Sequence, residues 1–411
     1  MWELAALVVG TSLAFAQQDT GLPPELLLLA RVKLHAQETL ERLPNYTCLE
    51  TVERSDRTLP SKRFRLVDTL RLEVALVDGH ELFAWPGAKG FETKDLRDIV
   101  KTGTISNGDF ALFAKTVFQS FAPQYTYRGM ATVEGRPAHR WDFRVSLMNS
   151  GYHLRIGDRE GLAGYHGSFW IDPLSLDVMR LEFEAEDIPA NLDLSSATTR
   201  MDYARRKIGE SAFLLPASSD LTLVDLRGNE KHNRIAFSDC RQYVGESVLR
   251  FDDAPATAPS GPVTAEIPAV ALPPRMYVTT VLEKDIILNT AAVGDPIRAI
   301  VSENAKMKRK IVVPKGAVLS GRIVELQRAP DGFYLSMQFT DLEWPSGRSV
   351  FTAVGDESAP GVNSPVRSLR SPALPETLRP GTIRLFLSPS SVKLSAGYAA
   401  HWWTGNAPRA K

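Results

Sequence analysis

The sequence predicts a mainly β fold with a few helices. A curved antiparallel half-barrel packed with helices forms an α+β first domain, followed by a Pro-rich linker and a second small β-barrel. Period-two alternation carries the prediction over most of the chain. One long and one Phe-rich helical stretch interrupt it, and a run of small residues and prolines separates two β-rich regions.

The chain has 411 residues, enough for two cores, and an ordinary globular balance of 44% hydrophobic and 23% charged residues. Lys+Arg and Asp+Glu both number 48, so no global field draws it to a polyanion, and no nucleic-acid partner is expected. At the N-terminus, an apolar run from Leu4 to Leu13 precedes Ala14-Phe15-Ala16. That A-x-A pattern reads as a secretory signal over residues 1–16, although the n-region carries Glu3 and no basic residue. The alternative is a buried apolar helix. Charges interrupt every later apolar run, so no integral membrane span is expected and the mature chain belongs in the periplasm or outside the cell.

Residues 23–43 open with prolines and place Leu29, Val32, Ala36, Leu40 and Leu43 on one helical face, a stripe to pack on a sheet. From Tyr46 come "YTCLETVER", "FRLVDTLRLEVALVDG", "HELFAW", "AHRWDFRV", "GSFWIDP", "LDVMRLEFEAE", "SDLTLVDLRG" and "NRIAFSDCRQY", all reading as strands between turns. Met179, Leu181 and Phe183 are expected on one face, with Arg180, Glu182 and Glu184 on the other. "GDFALFAKTVFQSFAP" interrupts them as a helix with Phe110, Phe113, Val117 and Phe121 on a face and Asp109 as its N-cap.

The first domain spans 23–251. Residues 252–275, with six prolines, form a semi-rigid linker. The second spans 276–395, with a Pro/Ser-rich loop at 356–381 and a tail at 396–411. Within it, Ile311, Val313, Leu319 and Ile323 flank a Pro314-Lys315-Gly316 turn as alternating core contacts, with Gly316 free to take positive φ.

Catalytic motifs are missing. There is no H-E-x-x-H, G-x-S-x-G, P-loop or G-x-G-x-x-G, and no His pair at metal-ligand spacing, so neither catalytic residue, metal nor cofactor is expected. His166, among glycines, reads as a turn or surface residue. Glu182, Glu184 and the run Arg205-Arg206-Lys207 read as solvated faces. Cys48 and Cys240, the only cysteines, are even in number in an exported chain, which favours a disulfide over two buried thiols. Pairing requires the first and last strands of the domain to be neighbours, with α-carbons about 5.5 Å apart. Trp141, Phe143, Phe169, Met179, Leu181 and Phe183 would line one apolar face. If the helices fill it, it is a core. If they leave a gap, it is a pocket for an acyl chain or an apolar peptide.

An exported helix leading into "LPNYTCLETVER", and the Trp-Ile-Asp-Pro turn of "GSFWIDPLSLDVMRLEFEAE", give residues 25–250 a pattern that resembles the lipoprotein-carrier (LolA-like) family and related sigma-regulatory periplasmic sensors. That resemblance implies an open half-barrel with helices on its concave side, a hydrophobic cavity and no catalysis. The second region resembles the TrbI-type conjugation and type IV secretion scaffold domain through Gly294-Asp295-Pro296-Ile297-Arg298-Ala299, Val313-Pro314-Lys315-Gly316-Ala317, Gly321-Arg322 and "DLEWPSGRSV". It departs in lacking a membrane anchor and an apolar helix to cross an outer membrane, so the fold alone carries over. The expectation is a non-enzymatic protein of a bacterial envelope that binds a lipid, lipoprotein or apolar peptide and docks to an envelope protein partner. The alternative is a scaffold making only protein contacts.

Overall fold

Residues 22–88, 90–91, 96–100, 104, 112–120, 122–243, 268–355 and 379–405 are described by a computed structural model. The signal at 1–16, Asp109, Phe110 and Phe121, most of the linker and most of the 356–381 loop lie outside these residues. Alternation produces two antiparallel sheets. The first contains β1 (Tyr46–Arg57), β2 (Arg65–Val77), β3 (His80–Ala84), β4 (Gln124–Val133), β5 (Arg136–Val145), β6 (Tyr152–Ile156), β7 (Arg159–Ile171), β8 (Val178–Glu186), β9 (Leu194–Ile208), β10 (Ser211–Asp225) and β11 (Glu230–Gln242). Their order is β3-β2-β1-β11-β10-β9-β8-β7-β5-β4, with β6 on β7. Against this sheet lie helices α1 (Pro24–Glu41) and α3 (Leu112–Gln119), and the short α2 (Leu96–Ile99) contacts β3.

The first and last strands are neighbours, as the pairing of the cysteines requires. Cys48 and Cys240 form a disulfide with α-carbons 4.1 Å apart. The register of β1 on β11 shifts between Thr47 and Leu49, and Asp239 takes a positive φ of 49°, so a bulge turns Cys240 toward Cys48.

A second bulge corrects the expected Met179/Leu181/Phe183 row. Trp170 pairs with Arg180 but Ile171 with Val178, leaving Met179 as the extra residue. It points away from Leu181 and Phe183 and packs with Val133 and Ala138 instead. On that same outward side the strands exchange charge. Arg128 reaches Asp142 at 2.6 Å, Arg180 reaches Asp202 at 2.6 Å, and Arg200 reaches Asp220 at 2.8 Å.

The second sheet contains β12 (Tyr277–Leu282), β14 (Pro296–Val301), β17 (Val318–Ala329), β18 (Gly332–Trp344), β19 (Gly347–Val350), β20 (Ala353–Gly355), β21 (Thr382–Leu387) and β23 (Ala399–Thr404). Two small ladders accompany it, β13 (Ile286–Ile287) with β22 (Lys393–Leu394) and β15 (Ala305–Met307) with β16 (Lys310–Val313). Where a small β-barrel was expected, this is an antiparallel half-barrel sheet, ordered β19-β18-β17-β14-β12-β23-β20, with β21 on β18. The expected tail is corrected too, because β23 sits inside the sheet between β12 and β20. Ala400, Trp402 and Thr404 are buried in alternation there, and the Trp402 indole N–H donates to Thr280 Oγ1 at 2.9 Å. Small residues beside Trp402 hid the period. Val313, Leu319 and Ile323 are buried as expected and Gly316 has φ +89°, but Ile311 is 47% exposed. The runs flanking that turn do not pair with each other, since β16 joins β15 and β17 joins β14 and β18.

The two sheets meet at the edge of β2, where β3 stops. Val293 forms a parallel bridge with Leu70, donating to Thr69 O and accepting from Arg71 N, both at 2.8 Å. Arg71 Nη1 reaches Asp295 Oδ1 at 2.5 Å. Between them Gly294 has φ +102°, and a Cβ there would lie 2.3 Å from Arg71 O and 2.6 Å from the Trp85 ring. Glycine is demanded by both conformation and space. The "GDPIRA" stretch, expected as a barrel marker, therefore also builds the junction.

Candidate functional site

The concave face of the first sheet gathers five of the six residues expected to line it. Trp141 and Phe143 come from β5, Phe169 from β7, and Leu181 and Phe183 from β8, all buried in one cluster with Val145, Tyr165 and Met201. Odd positions on these strands point inward because side chains alternate. The close approach of β7 to β8 at Gly167, where a Cβ would meet Glu182 O at 1.9 Å, holds the strands tightly together.

Helices α1 and α3 fill this face. Val32 and Ala36 of α1, and Ala114, Val117 and Phe118 of α3, belong to the same cluster, as does half-buried Leu29 at its margin. Phe118 packs edge-on to Phe169 at 5.0 Å and Phe113 tilts against Phe183 at 4.8 Å. Such aromatic pairs add roughly 0.5–1.5 kcal/mol each beyond area burial. The α1 stripe is thus a core stripe, as its spacing predicts. Its outward side mixes exposed charges such as Arg31 and Glu38 with exposed leucines. Leu22 precedes the helix, and Leu26, Leu27 and Leu34 lie on it, all exposed.

Polar contacts also hold this cover. Lys33 Nζ donates to Ser120 O at 3.2 Å, the Tyr125 hydroxyl donates to Val117 O at 2.5 Å, and His35 Nε2 lies 3.0 Å from Asp177 Oδ1. Arg205 grips the same carboxylate through Nε at 2.7 Å and Nη2 at 2.9 Å. Burial pushes the Asp177 carboxyl up, but hydrogen bonds from Arg205 and His35 and their charges outweigh it, leaving its pKa below the ordinary value. Arg205, expected on a solvated face, thereby acts as a second grip on the residue that meets α1. Burial raises the phenols of Tyr125 and Tyr165 to about 12. The Trp141 indole N–H, on a side chain 1% exposed, has no hydrogen-bond partner among the described residues.

His166 sits outside this site. Its Nδ1 lies 3.3 Å from Glu186 Oε2, and Arg144 Nε donates to Glu186 Oε1 at 2.6 Å. That is an exposed ion-pair cluster without a second histidine. Among the described residues no group of His, Cys, Asp and Glu is arranged to hold a metal ion. A cleft of about 560 Å³ opens beside the junction, but its charges are largely paired internally. Arg71 meets Asp295, Arg298 meets Glu283, and Asp285 is held by Lys393. Strands β4 and β9, which complete the concave wall, were missed by the sequence reading. Inward Ala197, Thr199 and Met201 on β9 are too small or too polar to mark an apolar period, and only the half-buried Tyr125 and Tyr127 could have marked β4.

Comparisons with solved structures align about half the chain. A LolA superfamily protein, NE2245 from Nitrosomonas europaea, matches at 12% identity and TM-score 0.27, covering 53% of this chain and 94% of that one. A putative outer membrane lipoprotein-sorting protein domain from Vibrio parahaemolyticus matches at 13% identity and TM-score 0.29, covering 53% and 94%. A DUF1329 family protein from Desulfovibrio piger matches at 11% identity and TM-score 0.29, covering 53% and 95%. No family model matches the chain, and no curated protein matches it. The resemblance of the second region to the TrbI-type scaffold finds no support in these comparisons. No described helix is long and apolar enough to cross a membrane.

Proposed function

We propose that the first domain, residues 23–251, is a non-enzymatic carrier in a bacterial envelope, taking an acyl chain of a lipid or lipoprotein, or an apolar peptide, onto its concave face. The second domain, from 276 through β23 to Thr404, would dock to an envelope protein. The observation that carries the reading is an aromatic concave face covered by helices that no backbone-to-backbone hydrogen bond ties to a strand among the described residues. Ligand entry would displace α1 or α3 and replace their side chains on Phe169, Phe143 and Phe183. The unpartnered Trp141 N–H would gain an acceptor from an ester or amide carbonyl, and the leucines on both faces of α1 suit a helix that exchanges apolar contacts. The disulfide suits an oxidising compartment.

The test is lipid extraction of the purified protein with mass spectrometry, followed by titration of the delipidated chain with a fluorescent fatty-acid probe. Saturable binding, weakened by Phe169→Asp in protein that still folds, supports the carrier. A chain that carries no lipid and binds no acyl probe overturns it and leaves the scaffold reading, to which a filled concave face also conforms.

A further inference from the structure

We propose that the β15–β16 hairpin is a basic finger by which the protein lies against an anionic lipid bilayer. Between residues 303 and 315 the chain carries Lys306, Lys308, Arg309, Lys310 and Lys315 against the single carboxylate of Glu303. All five cations are exposed, and none makes an ion pair among the described residues. On the first sheet, by contrast, Arg180 pairs with Asp202 and Arg200 with Asp220 across strands, and the formal net charge of the whole chain is zero.

The backbone gives a second and independent observation. Ala305 and Val313 anchor the base of the hairpin, both buried, and Met307 pairs with Lys310 at the tip. The two residues between them, Lys308 and Arg309, have φ +47° and +67°. Two successive left-handed residues define a type I′ turn, for which Asn-Gly is the favoured pair. Side chains with a Cβ are strained there, and adjacent like charges repel. A turn chosen for stability alone would not hold this pair, and strain of this kind collects at functional positions.

A bilayer fits better than other anions because the tip is amphipathic. Ile311, 47% exposed, stands across the ladder from Lys306 and beside Lys310. Headgroups would take the cations while the isoleucine enters the interface. No aromatic side chain interleaves the cations, so base stacking has no platform. The assignment is independent of what the half-barrel carries.

Sedimentation of the purified full chain with vesicles of phosphatidylglycerol and phosphatidylcholine in equal parts, at low salt, is expected to show binding. Pure phosphatidylcholine vesicles should not bind. K308Q/R309Q/K310Q should lower partitioning by roughly 100-fold, about fivefold for each cation lost. K308N/R309G removes two cations while giving the turn its preferred residues. It should hold or raise the melting temperature yet weaken binding roughly 30-fold. Equal binding to neutral vesicles, or undiminished binding by K308N/R309G, overturns the proposal. So does soluble polyglutamate that displaces the protein from vesicles of matched charge, which would assign the finger to an acidic polypeptide.

Discussion

Helices α1 and α3 lie against the first sheet through side chains, whereas the second sheet joins its edge through the backbone. At the junction, Val293 extends the β2 ladder with paired N–H···O bonds, Gly294 admits close approach and Asp295 takes the Arg71 guanidinium. On the concave face, α1 is held by apolar packing, one lysine and the His35–Asp177–Arg205 cluster. Ladder bonds break cooperatively with the sheet, while a side-chain clamp can open locally. On that difference the helices are expected to open before the fixed part, the junction and the disulfide edge.

The largest effect should come from the fixed part. The Cys48–Cys240 bridge closes a loop with a sequence separation of 192. C48S/C240S should cost up to about 5 kcal/mol on the chain-entropy account, read as a fall in denaturation midpoint, with the same fall in wild type under reductant. Gly294→Val comes next. Its Cβ would meet Arg71 O and Trp85 in a left-handed backbone, so a loss of about 3 kcal/mol is expected. Chemical denaturation should then show the two sheets unfolding separately. A single unshifted transition would remove the junction from the fixed part.

Alternation made most strands of the first sheet legible, though not β4 and β9, and with them the concave residues Trp141, Phe143, Phe169, Leu181 and Phe183. Where period two failed, a local backbone event or a residue choice was responsible. The Met179 bulge reverses parity within one strand, and no pattern of apolar residues announces an inserted residue. The β23 strand buries Ala400 and Thr404 beside Trp402, so its inward row lacks bulk. Gly294 was visible as a glycine, but its reason lies in Arg71 and Trp85, more than 200 residues away in sequence and brought near only by folding. The grip of Arg205 on Asp177 was illegible for the same reason, since an arginine in a basic run looks solvated until its partner strand arrives.

The clamp itself should break with acid. Folding lowers the Asp177 pKa, so its contribution is complete above the ordinary carboxylate value of about 4 and disappears as pH falls through the lower folded value. Asp177→Asn should cost about 1–2 kcal/mol near neutral pH, kept modest by the half-exposed Arg205. The gap in melting temperature between wild type and the variant should close under acid. Hydrogen exchange should quicken in α1 and leave β2 untouched. Equal quickening in both would mean the helices and the junction open together.

The smallest change in stability, and the one that bears most directly on function, is expected from Trp141→Phe. Removing a buried indole N–H without a partner relieves about 1–3 kcal/mol. The smaller ring forfeits packing on Phe169 and Tyr127 of similar size. The two should offset to within about 1 kcal/mol. Acyl-probe affinity has no such compensation. A bound carbonyl that accepts from the indole would lose one hydrogen bond, weakening binding roughly fivefold to tenfold. Undiminished affinity would make the Trp141 N–H a tolerated defect of a plain core, and the concave face would then differ from the junction only in how it is held.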